Sequence, residues 1–195
     1  GKSTLIKVLT GVYEKDGGDI YMSDNPEPVI IRSTQDAQKA GISTVYQEIT
    51  LCPNLTVAEN MYIGRSKGAF TKWKKMYSQA GKLLESLDIP AKPNQHLAVQ
   101  QMVAIARAVD MDCKVLILDE PTSSLDEQEV EKLFKLMLDL KSRGVGIIFV
   151  THFLDQVYAV CDKITVLRDG KFVGEYNAAE LPKVELVSKM LGKDL

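Results

Sequence analysis

No stretch of this chain is apolar for long enough to cross a bilayer, and no basic surplus marks it as a general nucleic-acid binder. Lys and Arg number 24 against 26 Asp and Glu, a formal net charge of -2. Cysteine is scarce: Cys52, Cys113 and Cys161 are odd in number, far apart and lack the short spacings of a metal-ligand set. They read as buried free thiols of a reducing compartment, not as a disulfide framework. Internal repeats, low-complexity segments and a signal peptide ahead of the first motif are also missing, so any membrane role is expected to run through a partner. What is left, 45% hydrophobic and 26% charged residues over 195 positions, is the composition of one sizeable globular domain.

Four branched apolar residues in a row, Val115-Leu116-Ile117-Leu118, are followed by Asp119-Glu120-Pro121. Apolar residues without polar alternation predict a strand buried on both faces of a parallel sheet, and Pro121 ends it because proline cannot donate to a ladder. Ligands of open parallel sheets bind outside the carboxyl ends of the strands. Asp119 and Glu120 are therefore expected on such a rim, pointing in opposite directions. A solvated turn at a helix start would use the same two residues.

Other segments place polar residues on the same edge. Ile42 to Tyr46 predicts a strand with Gln47-Glu48 at its end, and Gly146 to Val150 predicts a third buried strand ending in Thr151-His152. A lone glutamine or histidine is ordinarily a loop residue, but here each follows an apolar strand. Gly1-Lys2-Ser3-Thr4 is the second half of G-x-x-x-x-G-K-[ST], in which backbone amides cradle phosphates at a helix N-terminus; alone it is also an ordinary helix start. A helix from Ser3 should stop at Gly11.

Elsewhere, Asp19 to Met22 reads as a short edge strand and Ser33 to Gly41 as a capped helix. Thr56-Val57-Ala58-Glu59 is a capping box that starts a helix through Tyr62. The preceding loop from Ile49 to Leu55 is apolar enough to suggest a contact surface. Trp73, Met76, Tyr77, Ala80, Leu83, Leu84 and Leu87 recur at helical spacing and predict a core-facing stripe. Helices are also expected from Gln100 or Gln101, carrying Arg107, and after Asp126 with a stripe of Val130, Leu133, Phe134, Met137 and Leu138. Ile164 to Leu167 and Phe172 to Tyr176 form a hairpin around Asp169-Gly170. A final amphipathic helix carries Val184, Leu186, Val187, Met190 and Leu191.

Taken together, the sequence resembles the nucleotide-binding domain of ATP-binding cassette (ABC) transporters over nearly its whole length. Gly1-Lys2-Ser3-Thr4 is similar to the end of the Walker A loop, Gln47 to the Q-loop, Val115 to Glu120 to the Walker B strand, Ser124-Leu125-Asp126 to the D-loop and His152 to the switch histidine. Ile42 to Glu48, Leu55 to Asn60, Gln101 to Ala108 and Met190 to Lys193 look most like importers of ribose, galactose or xylose. In that group one polypeptide carries two cassettes, and this chain looks like the first. Two family features are absent: the strand and adenine-stacking aromatic before the phosphate loop, and the Leu-Ser-Gly-Gly-Gln-like signature, where only Leu97-Ala98-Val99 precedes Gln100. Truncation with an internal deletion would explain both gaps, and so would mobile-loop residues left out of this sequence, which is the favoured expectation.

The resemblance implies an α/β P-loop NTPase fold of the ABC ATPase type: one domain over 1–195, N-terminally incomplete, with a mainly parallel sheet flanked by helices and a helical subdomain over about 53–110. It implies ATP and Mg2+ as ligands, with Gly1, Lys2, Ser3 and Thr4 around the phosphates. Ser3, Asp119 and Gln47 would serve the metal, Glu120 would act as general base, and His152 and Gln47 would assist. Asp126 would act across a dimer interface. The implied partners are integral-membrane sugar permease subunits, a second nucleotide-binding domain and, indirectly, an extracytoplasmic sugar-binding protein, with the chain on the cytoplasmic face of the membrane. A non-transport ABC ATPase of translation or DNA repair is the alternative, and a non-hydrolysing regulatory cassette is disfavoured by Glu120 and His152 together.

Overall fold

The computed structural model describes residues 1–22, 25–46, 51–52, 54–63, 73–94 and 100–192. Three strands form a parallel sheet in the order β1 (Ile42–Val45), β2 (Val115–Asp119), β3 (Gly146–Val150), with Ile42 beside Val115 and Val115 beside Gly146. The register brings the carboxyl ends of all three strands to one edge.

Strand alternation divides the apolar residues between two faces. On one, Ile42 and Ile117 meet Ile6 of α1 (Lys2–Leu9) and Ala37 of α2 (Thr34–Lys39). On the other, Val45, Leu116 and Leu118 join the larger core built with α3 (Val57–Tyr62), α4 (Trp73–Ser86), α5 (Gln100–Asp110) and α6 (Glu127–Ser142). Helices α3, α4 and α5 pack on one another. Asp119 shares the parity of Val115 and Ile117, so it leaves the strand toward the α1 face.

Local signals set the helix starts. Ser33 Oγ accepts from the Asp36 amide at 3.2 Å to begin α2. Thr56 and Glu59 close a reciprocal capping box on α3, and Asp126 and Glu129 do the same on α6. Beyond the sheet, β4 (Lys163–Arg168) and β5 (Lys171–Asn177) form an antiparallel hairpin. Its turn places Asp169 at φ 52° and Gly170 at φ 76°, the two left-handed residues that an Asp-Gly turn of this kind requires. Between β3 and the hairpin lies α7 (Leu154–Val160), which periodicity did not reveal, and α8 (Lys183–Leu191) follows the hairpin.

Several expectations need correction. Residues 19–22 form no strand; Val29 donates one backbone bond to Ile20, too little to build a ladder. β3 is not buried throughout, since among the described residues it pairs only with β2 and leaves Ile148 exposed. Trp73 and Leu138 are exposed, whereas Leu136 and Leu140 are buried in their helix. On α8 only Leu186 is buried, with Val184, Met190 and Leu191 exposed. Of the three free cysteines, Cys113 is buried, Cys161 partly so and Cys52 exposed.

Candidate functional site

The rim begins where β2 ends. Glu120 leaves the strand at φ 50°, a left-handed conformation that costs a non-glycine residue roughly 1–3 kcal/mol unless its surroundings hold it. Its amide donates to the Val150 carbonyl at 2.8 Å, which extends the β2 to β3 ladder into the turn. Its carboxylate meets His152: Nδ1 lies 2.8 Å from Oε2. An imidazole N–H donates to a carboxylate, and a contact through Nδ1 leaves Nε2 as the ring's other functional atom. The Glu120 side chain is 18% exposed and that of His152 61%, so a shielded carboxylate on one strand end leans against an accessible imidazole on the next. The ring also packs against Phe153, with centroids 4.0 Å apart.

Asp119 takes the opposite direction. Burial, and then the charge of Glu120, raise its pKa above the ordinary carboxylate value, and Lys2 only partly offsets them. The lysine at the start of α1 is therefore in electrostatic range of the first carboxylate. Gly1 is the N-cap of α1 without a side-chain cap, and Lys2, Ser3 and Thr4 are exposed. A Cβ on Gly1 would stand 3.7 Å from Gly170, so α1 starts against the hairpin turn. Amides left open at a helix N-terminus, a lysine and an accessible hydroxyl make a receptor for a polyanion.

Among the described residues, no group of three or more His, Cys, Asp or Glu is placed to hold a metal by itself. A carboxylate and a hydroxyl fit magnesium, which prefers hard oxygens and completes its shell with water and substrate phosphates.

Asp126 is engaged differently from Asp119. Its Oδ1 accepts from the Glu129 amide at 2.8 Å as the N-cap of α6, so its carboxylate serves this chain's own helix. Its loop is also tied to α5, since Gln101 Nε2 donates to Ser124 Oγ at 3.1 Å. Gln47 and the residues at 95–99 lie outside the described residues. Sequence patterns missed the φ of Glu120, a partly buried bond from Thr122 to Gln156 and a bond between Thr10 Oγ1 and Tyr46 at 3.0 Å. A usable signal was Gln156, one helical turn beyond His152.

A parallel sheet whose carboxyl edge brings a Gly-Lys-Ser-Thr helix toward paired carboxylates and a histidine defines an ATP-binding cassette. A family profile for ABC transporters matches residues 1–123, more than half of the chain, and the chain belongs to that family. It is 54% identical to the galactofuranose transporter ATP-binding protein YtfR of Escherichia coli, over 100% of this chain and 40% of that protein. It is 49% identical to the fructose import ATP-binding protein FruK of Bifidobacterium longum, over 99% of this chain and 39% of that one. Identity to the galactose/methyl galactoside import ATP-binding protein MglA of Haemophilus influenzae is 42%, over 100% and 40%. The chain thus spans about two fifths of the length of these curated relatives. Among solved structures, the ADP conformation of MJ1267, an ATP-binding cassette of an ABC transporter, superposes with a TM-score of 0.81 at 25% identity, covering 98% of this chain and 82% of that one. A nucleotide-free ATP-binding cassette from an ABC transporter gives 0.77 at 23%, covering 99% and 80%, a likeness of fold.

Proposed function

We infer that this chain is the ATP-hydrolysing cassette of an importer of simple sugars, working at the cytoplasmic face of a membrane permease. The contact between Glu120 and His152 carries the reading: a carboxylate and an imidazole from neighbouring strand ends meet on the edge that Asp119 shares with Lys2. Three relatives, all sugar transport or import ATP-binding proteins, favour import over translation or DNA repair.

In this reading Lys2 and the amides after Gly1 bind the β- and γ-phosphate oxygens, with Ser3 and Thr4 at the same helix start. Ser3 and Asp119 would hold magnesium, which when bound would supply charge neutralisation for the phosphates. Glu120 takes a proton from the attacking water, and His152 positions that water and contacts the γ-phosphate. Gln47 senses the metal or the water and passes nucleotide state to the permease. The neighbouring Leu51 lines a groove of about 250 Å³ with Tyr46, Thr44 and Met111, which supports docking of a permease segment nearby. Asp126 lies in the loop that would face a second cassette, in tandem or as a dimer, and an extracytoplasmic sugar-binding protein would deliver the cargo.

Replacing Glu120 with Gln is the test. The variant should still bind ATP but lose most phosphate release, and undiminished turnover would remove Glu120 from its role. Reconstitution of the complete protein with its permease, followed by sugar-stimulated ATPase over a sugar panel, tests the transport reading.

A further inference from the structure

Three hydrogen bonds join the turn after β2 to the segment after β3. The Glu120 amide donates to Val150, His152 Nδ1 meets Glu120, and Thr122 Oγ1 donates to Gln156 Oε1, each at 2.8 Å. The first prolongs the sheet and the second belongs to the hydrolytic pair. The third has had no task. Thr122 is 4% exposed, and a hydroxyl so buried needs a partner. That partner sits on α7, one turn past His152, across 34 residues of sequence.

Helix α7 needs such an anchor. None of its residues is buried, and its N-cap, Phe153, makes no side-chain capping bond. Leu154, Val157 and Tyr158 pack partly against the cluster of β4, β5 and α8, and Tyr158 donates to the Leu181 carbonyl at 2.8 Å. Those contacts fix α7 to the hairpin side of the molecule, and Val160 at its far end packs partly against the main core, which leaves the gap between its first turn and the turn after β2. Glu120, held left-handed at φ 50°, keeps its geometry only while its surroundings determine it. The bond between Thr122 and Gln156 spans this gap, immediately behind the acid and the imidazole.

We propose that Thr122 and Gln156 form a latch that holds the His152 segment at working distance from Glu120, as positioning residues for ATP hydrolysis. The latch rests on the reading of Glu120 and His152 as the hydrolytic pair. Neither latch residue touches the nucleotide; each acts through the turn it belongs to. Loss of the latch should therefore slow turnover and leave ATP affinity alone.

The test uses the complete protein assembled with its permease and follows steady-state phosphate release, ATP binding and chemical unfolding. Thr122→Val removes the donor at nearly constant volume, and Gln156→Met removes the acceptor. Each should lower kcat roughly three- to tenfold, the weight of one neutral hydrogen bond, with KM for ATP within about twofold. The double variant should be no slower than the slower single one, because both delete the same bond. Thr122→Ser, which keeps the hydroxyl, should recover most of the rate. Wild-type kcat in both single variants, beside a Glu120→Gln variant that is inactive, overturns the latch and spares the hydrolytic pair. A loss confined to ATP affinity or to the unfolding midpoint, with kcat intact, also overturns it. Full turnover by Glu120→Gln overturns the pair and the latch with it.

Discussion

Asn60 grips Cys52 at both edges of its backbone: Oδ1 accepts the Cys52 amide at 2.7 Å and Nδ2 donates to the Cys52 carbonyl at 3.0 Å. The same Nδ2 lies 3.2 Å from the Leu55 carbonyl and 3.1 Å from that of Thr56, and Asn60 is 1% exposed. One buried amide thus folds the loop after β1 back onto α3. Replacing Asn60 with Ala should cost about 1–3 kcal/mol, because polar groups of that loop lose their partner. Urea unfolding measures this, and a loss under about 0.5 kcal/mol would mean that the loop holds itself.

Gly11 turns the chain after α1 at φ 70°, where an added Cβ would sit 2.4 Å from the Ser33 carbonyl oxygen. Backbone cannot move aside as a flexible side chain can. The Gly11→Ala variant should lose more than about 1 kcal/mol, through both the left-handed backbone and the clash. Gly17→Ala, with nothing within 4 Å of the added carbon, is the control and should change stability by less than about 0.5 kcal/mol. Equal melting temperatures for the two variants would contradict the packing described for this turn.

Asp119 carries a charge that its own surroundings disfavour, through burial and through Glu120. Removing that charge should relieve the metal-free protein. In the absence of nucleotide and magnesium, Asp119→Asn should melt no lower than the wild type, yet lose magnesium-dependent phosphate release. A large drop in its metal-free melting temperature would show that the carboxylate is structural.

Burial pushes the Cys113 thiol up to about 11 from its usual 9.0. The folded protein therefore keeps this proton over a pH range in which the unfolded chain releases it. Stability contributed by Cys113 is full below the unfolded value and falls as pH rises from about 9 toward 11. Cys113→Ala should flatten that decline in unfolding titrations. Alkylation with iodoacetamide at neutral pH should reach the exposed Cys52 first and leave Cys113 unmodified until the protein unfolds.

The chemistry was more legible in the sequence than the packing. Val115 to Leu118 announced a strand because a double-sided core requires continuous apolar residues, and the carboxylates after it were expected on the rim, with a solvated turn as the other reading. The capping box at Thr56 and the Asp169-Gly170 turn were readable for the same reason, since each depends on a few adjacent residues. Position in the sheet was not readable. Ile148 has the composition of a buried residue, but its exposure depends on which strands flank β3. Helix α7 is short and buries no residue, so it left no periodic trace. The bond between Thr122 and Gln156 needs two segments 34 residues apart to be docked before it exists at all.

One flank of β3 offers its amides and carbonyls to no neighbour among the described residues, and Ile148 stands beside it in the open. Such a border is adhesive: any extended peptide can continue the hydrogen-bonding pattern there, including another molecule of the same kind. An added strand there would lie beside the segment that carries Thr151 and His152.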